Sequence, residues 1–126
     1  MKESTTEIGQ RGEALAAQFL EEAGYRILER NYRFMKSEID LVCYQPMTDY
    51  SAGGEIVFVE VKARWGEAFG AGFEAVSADK ERHLRTAAEA YLYETKLEGA
   101  LNRFDVISIN LQPDPPAIEH YKDVFR

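Results

Sequence analysis

Glu55-Ile56-Val57-Phe58-Val59-Glu60-Val61-Lys62-Ala63 is the stretch that decides the fold. It is β-branched and almost continuously apolar, the pattern of a strand covered on both faces. Such a strand needs a layer on each side. A chain of 126 residues supplies those layers within one domain, residues 1–126. Glu60 and Lys62 interrupt the apolar run. Residues two apart point to one face of a strand, about 7 Å from each other. Burying unpaired charge is costly. The pair therefore marks either an ion pair at a sheet end or a chemical site, since grouped buried ionisable residues tend to mark sites.

Upstream, Glu38-Ile39-Asp40-Leu41-Val42-Cys43-Tyr44 alternates. It predicts a strand with Ile39, Leu41 and Cys43 on one face and Glu38, Asp40, Val42 and Tyr44 on the other. Residues 45–54 hold Pro46, Asp49, Ser51, Gly53 and Gly54, a hairpin loop. The two strands should then be antiparallel neighbours, with Asp40 facing Glu60 and Lys62. Like charges side by side in a sheet destabilise it unless a cation sits between them. Mg²⁺ (or Mn²⁺) suits that position, because it takes hard oxygen ligands and needs only one or two carboxylates plus a substrate phosphate. A solvated polar residue at a strand end is the plain alternative for Asp40.

Ser4 and Glu7 have capping-box spacing, and Ile8, Gly12, Leu15, Ala16, Phe19, Leu20 and Ala23 recur at helical spacing. Gly24 suits a helix C-terminus. Glu13 borders this apolar stripe and either reaches over the sheet to the carboxylates or is an ordinary boundary glutamate. Tyr25 to Phe34 reads as a strand, and Arg64 to Gly72, with three glycines, as a mobile loop. Ser77 caps a helix from Ala78 to about Lys96 whose core face is Leu84, Ala87, Ala88, Tyr91 and Leu92. Phe104 to Leu111 is a further strand, and Ile118 to Tyr121 a short edge strand. The order implies an α/β domain with a central mixed sheet flanked by helices.

Fifteen basic residues stand against twenty-two acidic ones, a net charge of −7. That excludes a general nucleic-acid coat protein, which binds by phosphate neutralisation. Basic residues are nevertheless concentrated at Arg26, Arg30, Arg33 and Lys36. With Arg64 and Trp65 they form a candidate phosphate-binding rim, Trp65 being placed to stack on a base. Lys80, Arg82, His83 and Arg85 read as a solvated helix face. Asp105 reads as a structural hydrogen-bonding residue, and His83 and His120 lack metal-ligand spacing. Cys43 is the single cysteine, no run reaches the ~18 apolar residues of a membrane span, and Met1 to Glu7 lacks the apolar core of a signal peptide. These features give an expectation of a cytoplasmic protein.

The ordered set Gly9-x-x-Gly12-Glu13, Gly24-Tyr25-x-Ile27-Leu28-x-Arg30-Asn31-Tyr32-Arg33, Glu38-Ile39-Asp40-Leu41-Val42, Val57 to Lys62 with Arg64, and Arg103-Phe104-Asp105-Val106 closely resembles the YraN-like family of small bacterial proteins. The resemblance runs from about Gly9 to Phe125. It implies a restriction-endonuclease-like three-layer fold with a PD-(D/E)xK-type site, similar in layout to archaeal Holliday junction resolvases. Asp40 matches the motif aspartate, Glu60 and Lys62 the (D/E)xK pair, and Glu13 the helical glutamate of the resolvase-like branch. Ile39 stands where the motif's proline would be. The implied activity is Mg²⁺-dependent hydrolysis of phosphodiester bonds in DNA, branched or otherwise structured. Asp40, Glu60 and Glu13 would hold the metal, with Lys62 beside them as the only nearby positive charge. A homodimer stays open. So do two other readings: a nuclease-fold module that binds nucleic acid or a protein partner without cutting, and a structural subunit of a DNA-processing assembly.

Overall fold

The computed structural model describes residues 4–46, 53–66 and 77–125. The elements run α1 (Thr5–Glu22), β1 (Arg26–Phe34), β2 (Ser37–Pro46), β3 (Gly54–Arg64), α2 (Ala78–Glu94), β4 (Asn102–Asn110) and β5 (Ala117–Tyr121). The five strands form one sheet in sequence order. β3 and β4 are parallel, with α2 between them in the chain, and the other neighbours are antiparallel. One helix covers each face of the sheet, which gives the three-layer α/β arrangement expected of the sequence.

Both faces of β3 are buried, as its composition requires. Val57 and Val59 pack with Leu41, Cys43 and Ile107 against Ala16, Ala17 and Leu20 of α1. Ile56 and Phe58 pack with Val42 and Phe104 against Leu84, Ala87, Ala88 and Tyr91 of α2. The hairpin pairing runs from Pro46↔Gly54 to Leu41↔Val59. Residues 47–52 of its loop, and residues 67–72 of the expected glycine-rich loop, lie outside the described residues.

The helix ends follow their sequence signals. Ser4 Oγ accepts the Glu7 amide proton at 3.1 Å, and Glu7 Oε1 accepts that of Ser4 at 3.2 Å. Gly24 takes φ +95, which lets its own N–H reach Glu21 O (3.0 Å) and that of Tyr25 reach Leu20 O (2.9 Å). Ala23 is exposed at this cap, and Ala17 is buried in the stripe instead. α2 buries the five residues expected of it. It stops at Glu94 rather than Lys96, which lies in the left-handed region at φ +61.

One expected alternation fails. Ile39 packs with Tyr32, Val42 and Phe58 on the α2 side, not with Leu41 and Cys43 on the α1 side. The switch happens on two strands at once. The register pairs Arg30↔Leu41 and Tyr32↔Ile39 leave Asn31 and Asp40 between them. Asn31 takes φ +53, a conformation that breaks strand alternation. Tyr32 faces Tyr91, ring centroids 5.3 Å apart, and Ile27 lies on the α1 side, with a second irregularity of β1 in the register shift between Ile27 and Glu29.

Asp105 is structural, as the sequence suggested. Its side chain is fully buried and accepts from Arg103 Nε (2.9 Å) and Nη2 (3.2 Å), His120 Nε2 (2.7 Å) and the Asp123 N–H (3.0 Å). Arg103 also donates to Gln45 Oε1 (2.7 Å), Glu55 Oε1 (2.8 Å) and the Tyr25 hydroxyl (2.9 Å). Burial alone would raise the Asp105 carboxyl. The hydrogen bonds from His120 and Arg103 outweigh it and hold the group below the usual carboxylate range.

Candidate metal centre

Glu13 reaches the sheet because residue 12 is glycine. A Cβ at Gly12 would stand 2.5 Å from the Ala63 Cβ, so only glycine lets α1 lie this close to β3. One turn of contact then delivers Glu13 to the strand ends. Glu13, Glu38 and Asp40 each offer an oxygen within 4.8 Å of the others', the one such group among the described residues. Glu38, on Asp40's face of the strand, reads from the sequence as a strand-start charge or as a partner supporting Asp40. The structure places it beside Glu13 through Asn31, whose Nδ2 donates to Glu13 Oε1 and Glu38 Oε1, both at 2.9 Å. Arg33 Nη2 lies 3.2 Å from Glu38 Oε2.

Asp40 stands where β2 leaves β3. Leu41↔Val59 is the last pair of that ladder, and the Asp40 side chain takes the place of the next one: its Oδ2 accepts the Val61 N–H at 2.8 Å. Glu60 lies outside the group of three and meets Asp40 from β3. Burial, then the hydrogen bond and charge of Glu60, raise the Asp40 carboxyl to about 9. Glu13 adds to the rise, and only the Val61 N–H opposes it. Burial and Glu60 thus bias Asp40 toward its protonated form.

Glu60 has 10% of its side chain exposed, and its Oε2 is buried with no hydrogen bond. Its ion-pair partner is Lys80 at 3.3 Å, from the first turn of α2. This corrects the expectation that Lys62 would be the only positive charge nearby. The helix cap decides it: Ser77 Oγ accepts the Lys80 N–H at 3.1 Å and fixes the first turn against the cleft. The cleft has a volume of about 240 Å³, with Lys36 and Lys80 facing Glu38, Asp40 and Glu60 across it. Lys62 forms no ion pair among the described residues, and burial lowers its ammonium pKa against the opposing pull of Glu60. Spacing along one chain could not show the Lys80 contact, which joins two elements through a crossover.

Of the remaining candidates Lys36 lines the cleft, and Arg30, Arg64 and Trp65 are not among its lining residues. Arg30 and Lys36 are exposed on β1 and in the turn after it. Arg64 ends β3, where its carbonyl accepts the Leu111 N–H at 2.8 Å. Trp65 is 57% exposed.

The fold defines a three-layer α/β protein whose arrangement is compatible with a nuclease-like fold. The family model described as "Uncharacterised protein family UPF0102" matches residues 12–109, and the chain belongs to this family, the YraN family. It is similar to the "UPF0102 protein" of Chlorobium chlorochromatii (strain CaD3), with 44% identity over 128 residues, 97% of this chain and 93% of that protein. The "UPF0102 protein" of Syntrophus aciditrophicus (strain SB) is 42% identical over 93% of this chain and 87% of its own length. That of Rhodococcus opacus (strain B4) is 40% identical over 94% and 95%. No described helix is long and apolar enough to cross a membrane.

Proposed function

We propose that this protein is a Mg²⁺- or Mn²⁺-dependent endonuclease that hydrolyses phosphodiester bonds in branched or otherwise structured DNA. The observation that carries the reading is the buried meeting of Asp40 and Glu60, with Glu13 and Glu38 beside them. Two carboxylates brought together at a strand split are costly in a scaffold and useful around a cation. The donor set is all carboxylate oxygen, which suits Mg²⁺. Asp40 and Glu60 would hold the metal, with Glu13 assisting. When bound, the metal supplies Lewis acidity to the scissile phosphate and lowers the pKa of a water.

The chain's own groups do the rest. Lys62, whose ammonium pKa burial lowers against the pull of Glu60, would position the attacking water or stabilise the charge that develops on the phosphate. Lys80 supplies the counter-charge of Glu60, a place that a bound cation would take. Arg30, Arg33, Lys36, Arg64 and Trp65 would form the phosphate-binding and stacking rim, which limits an otherwise acidic molecule to local contacts.

The test is incubation with a four-way DNA junction in Mg²⁺, alongside Lys62→Ala and an Arg30→Glu/Arg33→Glu variant. The expected result is cutting by the parent, loss of at least about 100-fold in Lys62→Ala, and weak, less salt-dependent binding by the charge-reversed variant. Binding of the junction with no metal uptake and no cutting would establish the non-cutting module instead.

A further inference from the structure

Asn31 has two features that the fold alone does not require. It is an exposed residue on an edge strand, so it adds little to the core. Its backbone nevertheless sits at φ +53, where glycine, asparagine and aspartate are the residues that fit at low cost. Its single side-chain nitrogen carries two hydrogens, and they go to two different acids, Glu13 Oε1 on α1 and Glu38 Oε1 on β2, both at 2.9 Å. These acids are two of the three in the 4.8 Å group. Of the three residues the backbone accepts, glycine brings no donor and aspartate brings a further negative charge. Asparagine alone satisfies both the turn and the acids.

We infer that Asn31 is the positioning residue of the metal centre: its amide clamps Glu13 and Glu38 side by side so that their free lone pairs face Asp40. The inference rests on the metal reading above and extends it. Glu13 and Glu38 come from different elements and repel each other. Without the shared donor Glu38 keeps only its Arg33 ion pair, nothing ties it to Glu13, and the ion must then gather the two ligands itself. Asn31 also lies between the same register pairs as Asp40, so one backbone irregularity turns Asp40 to the site and sets the clamp beside it. Groups that orient ligands in this way typically change metal affinity by 10- to 100-fold when removed.

Two variants keep the backbone and change the side chain. Asn31→Gly retains the left-handed conformation and loses both donors. Its thermal midpoint in EDTA should stay within about 5 °C of the parent's, while calorimetric Mn²⁺ affinity, measured without DNA, falls by about tenfold or more. Asn31→Asp keeps the shape and puts a carboxylate where the donors were. Mn²⁺ should then raise its midpoint by more than it raises the parent's, because a further carboxylate joins Glu13 and Glu38 around the ion. A purely structural Asn31 predicts a lowered EDTA midpoint with parental Mn²⁺ affinity in Asn31→Gly, or equal Mn²⁺-induced shifts in Asn31→Asp. Either result overturns the clamp and leaves the metal reading standing. A parent that takes up no Mn²⁺ overturns both.

Discussion

Asp105→Asn is expected to destabilise the protein by about 3–5 kcal/mol, the usual consequence of removing one member of a buried ion pair. At this chain length that lowers the thermal midpoint by about 10–20 °C. The cause is the loss of charge from an oxygen pair that accepts from Arg103, His120 and the Asp123 N–H, leaving the guanidinium without its buried counter-charge. The effect has a pH signature. Asp105 is held below its unfolded pKa, so its contribution is present above about pH 4 and fades as pH falls through the folded value. Parent and variant should therefore converge in acid. Denaturant melts at pH 7 and at successively lower pH measure the difference, and a gap that does not narrow as pH falls below 4 would show that shape, not charge, is what Asp105 provides.

Asp40→Asn should do the opposite. Asp40 is raised to about 9 in the folded protein, so folding retains a proton that the unfolded chain releases near pH 4. That contribution is complete below pH 4 and is lost progressively as pH rises toward 9. Asparagine has no proton to lose. The variant should be near the parent at pH 4 to 5 and more stable by at least about 2 kcal/mol at pH 8. It should also respond less to metal. Addition of ~10 mM Mg²⁺ raises the parent's midpoint by ligand linkage and leaves Asp40→Asn unmoved. A variant less stable than the parent at pH 8 would mean that the Val61 hydrogen bond outweighs the repulsion from Glu60. The two aspartates thus sit in one sheet with reversed dependence on pH, because one is surrounded by donors and the other by acids.

The sequence made much of this legible. The residues of β3 demanded two covering layers, and the turn residues after β2 required the hairpin that brings Asp40 toward Glu60. Leu84, Ala87, Ala88, Tyr91 and Leu92 marked the buried face of α2 because a regular helix has one period. The failures occur where regularity ends. The strand rule assigned Ile39 to the face of Leu41, since it has no means of knowing that β1 and β2 switch sides together at Asn31 and Asp40. Asn31 gave one local signal, an asparagine within a strand, a residue type that tolerates the left-handed region. Lys80 and Arg103 gave less. Their partners lie 20 and 48 residues away, at Glu60 and Glu55, and such pairings are set by the packing of whole elements.

The split between β2 and β3 also makes the protein its own indicator. At the last rung the Val61 N–H is bonded to a side-chain carboxyl where a sheet would offer a carbonyl. That amide resonance should move downfield and exchange with solvent more slowly as Asp40 loses its proton, since a charged acceptor makes the stronger bond. A nitrogen-15 spectrum recorded across pH, or with added Mg²⁺, would then follow a single peak near the end of β3 and read from it the ionisation of the residue beside it.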